Sequence, residues 1–186
     1  MSTAFHGKKH MDQVRLISDT IQNSEGKKRV YLIAFLAAMS ISLAIIEHVV
    51  PRPLPWMRIG LANAITLYSF GVLKPREVLL LVLARVVATS LLIGSFLSVG
   101  FLLSITGALS SFFVMLFLFM FLRRLFSFVG ISIAGALTSN AVQLVVINAL
   151  FINSRISYYL LPFILLFALV GGTLSGLFGR FLTEHI

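Results

Sequence analysis

Residues 97–121 read LSVGFLLSITGALSSFFVMLFLFMF, a run without a charged side chain. A bilayer core is crossed by about 20 consecutive apolar residues in an α-helix, so this run is long enough to span a membrane. The whole chain has the same character, because 59% of its 186 residues are hydrophobic and 11% are charged. Soluble domains carry about 25% charged residues, so this composition indicates an integral membrane protein.

Five further apolar segments flank this run, and prolines, glycines and short polar stretches separate them. The sequence predicts an all-α membrane protein, a six-helix transmembrane bundle in a single domain over residues 29–186. A polar N-terminal tail over residues 1–28 precedes it. The predicted spans are 30–50, 59–73, 77–93, 97–121, 129–153 and 158–182.

The 15 Lys and Arg residues are distributed unevenly between the two sides of the predicted bundle. Basic residues concentrate in cytoplasmic segments, so their distribution predicts orientation. One side holds only Arg52, Arg58 and Arg155, and Arg85 lies within a span. We therefore expect both termini to be cytoplasmic in the cell membrane, and the net charge of +9 needs no nucleic-acid partner. The other side holds Lys8, Lys9, Arg15, Lys27, Lys28, Arg29, Lys74, Arg76, Arg123, Arg124 and Arg180.

Several chemistries are disfavoured by what the sequence lacks. There is no cysteine, hence no disulfide, thiolate nucleophile or cysteine-ligated metal. There is no Walker A motif for ATP, and the four histidines are too scattered to suggest a metal site. We therefore expect no catalytic residues, no metal and no cofactor, and a protein that is not an enzyme.

Ionisable side chains inside a membrane cost several kcal/mol unless they are paired or face water, so each marks a candidate site. Arg85 lies near the middle of the third predicted span, and Glu47 lies near the outer end of the first. Arg85 and Glu47 are therefore candidate substrate-binding residues. A structural pair between them, or snorkelling of the long Arg85 side chain, is the alternative.

The fifth span carries small and polar residues along one helix face. Ser139, Asn140 and Gln143 are candidate substrate-binding residues, with Asn148 somewhat displaced from the face. Amides and hydroxyls in a span also bridge neighbouring helices by hydrogen bonds, so both interpretations are open. The complete face contains Ser132, Gly135, Ala136, Ser139, Asn140 and Gln143.

The turn after the first span is stiffened by three prolines and carries two guanidinium groups. Arg52 and Arg58, with Asn63 one turn into the next span, form a candidate site for an anionic or polar ligand. The alternative is that they are ordinary anchors at the membrane interface.

Small residues at four-residue spacing mark the first span. Ala34, Ala38 and Ser42 would let another helix approach closely, either within the bundle or from a partner subunit.

Four stretches carry a family resemblance: PRPLPWMRIGLAN at 51–63, Arg85, SITGALSSFFVM at 104–115 and GISIAGALTSNAVQL at 130–144. Over residues 30–182 the chain resembles the Gx transporter family, also labelled heptaprenyl diphosphate synthase component I. The fold of that family is similar to the substrate-capture (S) components of energy-coupling factor transporters.

The resemblance implies a six-helix subunit that captures a small polar or anionic molecule, such as a vitamin, a flavin or a prenyl-diphosphate-like compound. Its outer pocket would be roofed by the loop between spans 1 and 2 and walled by spans 4 to 6. A membrane coupling subunit with ATPases would be its partner. The chain departs from the family pattern at Trp56, Arg58, Ser139 and Val142, which stand for Gly, Lys, His and Gly.

A second hypothesis is a non-catalytic scaffold subunit of a membrane redox or isoprenoid-quinone system. Direct prenyl transfer is disfavoured, because prenyl diphosphate synthases hold magnesium with clustered aspartates. The only aspartates here are Asp12 and Asp19, both in the tail.

Overall fold

The computed structural model describes residues 3–49, 60–123, 125–150 and 156–185. These residues form six α-helices and, within those ranges, no strand. The chain divides into two compact units, Met1–Phe35 and Leu36–Ile186. The helices are α1 (Thr3–Val49), α2 (Ala62–Val72), α3 (Pro75–Leu92), α4 (Val99–Phe121), α5 (Phe128–Leu150) and α6 (Ile156–His185).

The first unit is helical from Thr3, so α1 includes most of the residues that the sequence marks as a polar tail. This stretch has no proline, and it contains four Lys and two Gln residues, which lose little side-chain freedom in a helix. Polarity alone therefore does not end the helix.

Four helices are long and apolar enough to cross a membrane: Gly26–Val49, Val99–Phe121, Phe128–Leu150 and Leu165–Thr183. α2 falls short because it has 11 residues. α3 has 18 residues, and the three charged ones among them, Arg76, Glu77 and Arg85, set it apart from the four candidate spans. The architecture is that of an all-α membrane protein.

α2 lies in the centre of the second unit. Every residue from Ala62 to Phe70 is buried, and the helix contacts α3, α4, α5 and α6. A helix that is buried all round its circumference is surrounded by protein on every side. α2 is therefore a core element, and its hydroxyls bond within it: Ser69 Oγ donates to the Ile65 carbonyl at 2.6 Å.

Along the bundle axis, α2 begins near the mid-points of the helices beside it. The Asn63 amide Nδ2 donates to Ser111 Oγ at 3.4 Å, and Ser111 lies half-way along α4. A β-carbon built on Gly60 would lie 3.8 Å from the β-carbon of Ala136, eight residues into α5. Because α2 fills only part of the bundle's length, space is left between the longer helices beyond its first residue.

α5 and α6 pack with their backbones in close contact. A β-carbon on Gly172 would lie 2.6 Å from Ile133 Cα, and one on Gly176 would lie 2.5 Å from Val129 Cα. Without a hydrophobic driving force between helices in lipid, such close approach supplies the dispersion contacts that join them. The small residues of α6 therefore serve the bundle itself.

Candidate functional site

A cavity of about 280 Å³ lies beside the start of α2. It extends towards the end of the bundle where α1 and α3 finish and α4 begins, as His48, Ile93 and Gly100 in its lining show. Its described lining residues are Ala44, Glu47, His48, Gly60, Ala62, Asn63, Arg85, Val86, Thr89, Ser90, Ile93, Ser95, Gly100, Leu103, Ser104, Ala108, Ala136 and Ser139.

Among the residues whose side chains the structure describes, the walls of this cavity come from α1 to α5. The resemblance implied walls from the fourth to the sixth spans, and α4 and α5 do line the cavity. The side chains of residues 156–161, at the start of α6, lie outside the described part, so the wall expected from the sixth span stays a prediction. α1 and α3 also line the cavity.

Glu47 connects the end of α1 to the start of α2. Its carboxylate Oε1 accepts the backbone N–H of Gly60 at 2.8 Å, and its side chain is 6% exposed. Gly60 has a positive φ of 87°, and an added β-carbon would lie 3.2 Å from Asn63 Nδ2. Glycine adopts this conformation without a steric cost, so it suits both the turn and the close approach of Asn63.

Arg85 projects from α3 into the wall of the cavity. It is 4% exposed, so the side chain stays inside the bundle instead of extending along its outer surface. A guanidinium keeps its charge in almost any protein environment. This buried cation marks the cavity as a candidate site, because charges inside a bilayer are costly unless they are paired or face an enclosed polar space.

The polar face of α5 is buried as its periodicity indicates, but only part of it reaches the cavity. Ser139 lines the cavity, while Asn140 and Gln143 are 3% and 1% exposed and are not among the lining residues. Gln143 Nε2 donates to Ser139 Oγ at 3.3 Å, in space that Gly107 of α4 leaves open. Asn148 lies off this face with an exposed side chain.

The structure thus brings Glu47, Asn63, Arg85 and Ser139 to one cavity. Arg52 and Arg58 lie outside the described residues, so their part in the site stays a prediction. Ala34, Ala38 and Ser42 are all exposed on α1.

Sequence reasoning missed Thr89 and Ser90 of α3, which are 8% and 4% exposed and line the cavity. The signal was available, because residues four apart share a helix face and Thr89 follows Arg85 by four. Ser104 of α4 also lines the cavity.

Fold and site together define a helical membrane protein with a buried, charged cavity among its helices. The model of the family described as heptaprenyl diphosphate synthase component I matches residues 36–182, and the chain belongs to that family. This is the Gx transporter family that the sequence resembles. Comparison with curated proteins and with solved structures found no match.

Proposed function

We propose that the chain is the substrate-binding subunit of an uptake system in the cell membrane, similar to an S component of an energy-coupling factor transporter. Its substrate is a small polar or anionic molecule, bound in the cavity beside α2. The subunit itself catalyses no reaction, and partner proteins supply the energy for transport.

The observation that carries this proposal is the buried Arg85 at a cavity of about 280 Å³. Ligand sites combine mostly apolar walls with a few polar groups that fix orientation. This lining has that composition, with Val86, Ile93 and Leu103 beside Asn63 and Arg85.

The test is to identify what the protein retains. The chain is purified in mild detergent, denatured, and its released small molecules are identified by mass spectrometry. Arg85→Met removes the arginine of the described lining and should lose the bound compound, whereas the exposed Arg76→Met should keep it. Equal retention by both variants, or no retained compound and no binding in a ligand screen, would contradict the proposal.

A coupling partner would reach the bundle through the exposed α1 stripe of Ala34, Ala38 and Ser42. Ala38→Leu adds bulk there and should reduce co-purification with membrane and ATPase subunits. Ala141→Leu is the matched control, because Ala141 is an exposed alanine on α5. If both variants co-purify equally well with those subunits, the stripe is not the docking surface.

Six membrane crossings with both termini cytoplasmic are part of the proposal. The natural chain has no cysteine, so single cysteines can be introduced without further changes. Phe96→Cys lies in the turn before α4, and Ser127→Cys lies in the turn before α5. A membrane-impermeant maleimide should label Phe96→Cys in intact cells, and Ser127→Cys only after permeabilisation. The reverse labelling pattern would show that the protein has the opposite orientation in the membrane.

The family description favours a second candidate, a non-catalytic subunit of an isoprenoid-synthesising or redox system in the membrane. The described residues contain no group of three or more His, Cys, Asp or Glu side chains that could hold a metal ion. This candidate predicts co-purification with prenyl diphosphate or quinone enzymes and not with ATPase subunits, which discriminates it from uptake.

A further inference from the structure

The described lining of the cavity carries one arginine, Arg85, and one carboxylic acid, Glu47. In a low-dielectric interior, a charged ligand group binds best opposite a group of the other sign, because an uncompensated charge is expensive. A ligand with separated positive and negative groups would match both Glu47 and Arg85.

Glu47 is held in place by its own hydrogen bond. Oε1 accepts the backbone N–H of Gly60 at 2.8 Å, which fixes the carboxylate at the junction of α1 and α2. A carboxylate accepts several hydrogen bonds, so Oε2 has capacity for a donor from the cavity. A ligand ammonium is the donor that would also match its charge.

Thr89 differs from the other threonines whose side chains the structure describes. Thr66, Thr106, Thr138, Thr173 and Thr183 each donate to a backbone carbonyl three or four residues earlier. Thr89 lies within α3 with the same opportunity, yet its buried Oγ1 has no hydrogen-bond partner among the described residues. Leaving such a hydroxyl unpaired costs about 1–3 kcal/mol.

Thr89 and Arg85 are one helical turn apart, and both line the cavity. Rotation about χ1 of a threonine exchanges the positions of its hydroxyl and methyl groups, and threonine in helices populates two such rotamers. A ligand carboxylate beside Arg85 would accept the Thr89 hydroxyl as well. The pair thus offers a charged donor and a neutral donor to a single anionic group.

Resting on the proposed function, we propose that the substrate is a small zwitterion of the amino-acid class. Its carboxylate binds Arg85 and Thr89, and its ammonium binds Glu47. Its apolar part packs against Ala44, Val86 and Leu103.

The test is a binding measurement on the purified full chain in lipid nanodiscs. The twenty proteinogenic amino acids are screened singly by thermal shift, and dissociation constants are then measured for the best binder and three comparison compounds. The first of these comparison compounds lacks the amino group, and the second carries an amide in place of the carboxylate. The third is inorganic pyrophosphate, which is not an amino-acid analogue. We expect the first two to bind about thirtyfold or more weakly, as when a buried charge loses its partner, and pyrophosphate not to compete.

Variants assign each end of the ligand. Glu47→Gln keeps an oxygen acceptor for Gly60 but removes the negative charge. The amino acid and its deaminated analogue should therefore have equal dissociation constants for this variant. Thr89→Val should weaken binding of every carboxylate, whereas Thr106→Val, a threonine outside the cavity, should not. Size-exclusion profiles matching the wild type show that each variant folds.

The outcomes separate the inference from the proposed function. If the compound that co-purifies lacks an ammonium group or a carboxylate, or if the deaminated analogue binds as tightly as the amino acid, the zwitterion is wrong while substrate binding stands. If no amino acid shifts the melting temperature and no compound co-purifies, both the zwitterion inference and the proposed substrate-binding function are wrong.

Discussion

The cavity and the seam between α5 and α6 use small residues in opposite ways. In the seam, Gly172 and Gly176 bring two backbones so close that a β-carbon would meet Ile133 Cα or Val129 Cα. In the cavity, Gly100 and Ala108 of α4 border an open space. Small residues leave space between helices in both places. The position of the neighbouring helix determines whether that space is filled.

Because of this difference, the seam should contribute mainly to the stability of the bundle and the cavity mainly to ligand binding. The seam is a contact that substitutions should disrupt by steric overlap. In the cavity, the buried Thr89 hydroxyl has no partner among the described residues, so polar substitutions there should affect binding more than folding.

Gly176→Ala should have the largest effect on stability. The new β-carbon would lie 2.5 Å from Val129 Cα, a backbone atom that moves only if α5 and α6 separate. Overpacking of this kind costs about 1–3 kcal/mol in the free energy of unfolding, measurable by thermal or SDS denaturation in detergent. Gly71→Ala is the control, since nothing lies within 4 Å of its added carbon. If both variants unfold alike, the seam is not tight.

Gly60→Ala, at the border of the cavity, should have the second-largest effect on stability. An L-residue at a φ of 87° costs about 1–2 kcal/mol, and the methyl group would press on Asn63. We expect a lower melting temperature together with weaker ligand binding, because the junction held by Glu47 shifts. A loss of stability with unchanged binding would separate this turn from the site.

Gly135→Ala should have a smaller effect, although its added β-carbon would overlap its neighbours to a similar extent. Its β-carbon would lie 2.7 Å from Met115 Cγ, and the flexible methionine side chain can move where a backbone cannot. We expect a loss below about 1 kcal/mol, the lower end of overpacking costs. A melting temperature as low as that of Gly176→Ala would show that the α4–α5 contact is as rigid as the seam.

Thr89→Val should have the smallest effect on stability. Replacing an unpaired buried hydroxyl by a methyl group of the same shape is nearly neutral, or stabilising by up to about 1 kcal/mol. Thr66→Val, which removes a hydroxyl bonded to the Ala62 carbonyl at 3.3 Å, should instead destabilise by about 0.5–1.5 kcal/mol. Equal losses in the two variants would show that Thr89 is bonded in solution.

Much of the candidate site could be predicted from the sequence, because charges and amides are conspicuous in apolar segments. Glu47, Asn63, Arg85 and Ser139 were singled out in this way, and all four line the cavity. Thr89 and Ser90 were missed, since hydroxyls in helices usually bond their own backbone and give no signal. Asn140 and Gln143 share the polar face of α5 but lie behind the cavity wall, which periodicity cannot distinguish.

The sequence by itself determined that the chain is helical and belongs in a membrane, since apolar runs of this length need lipid around them and backbone bonds within them. It also determined the family to which the chain belongs. Only the tertiary structure decided that α2 is a short central helix and that α1 and α3 line the cavity. The physical reason is that helix lengths and faces are local properties, whereas the depth at which one helix begins depends on the packing of all its neighbours.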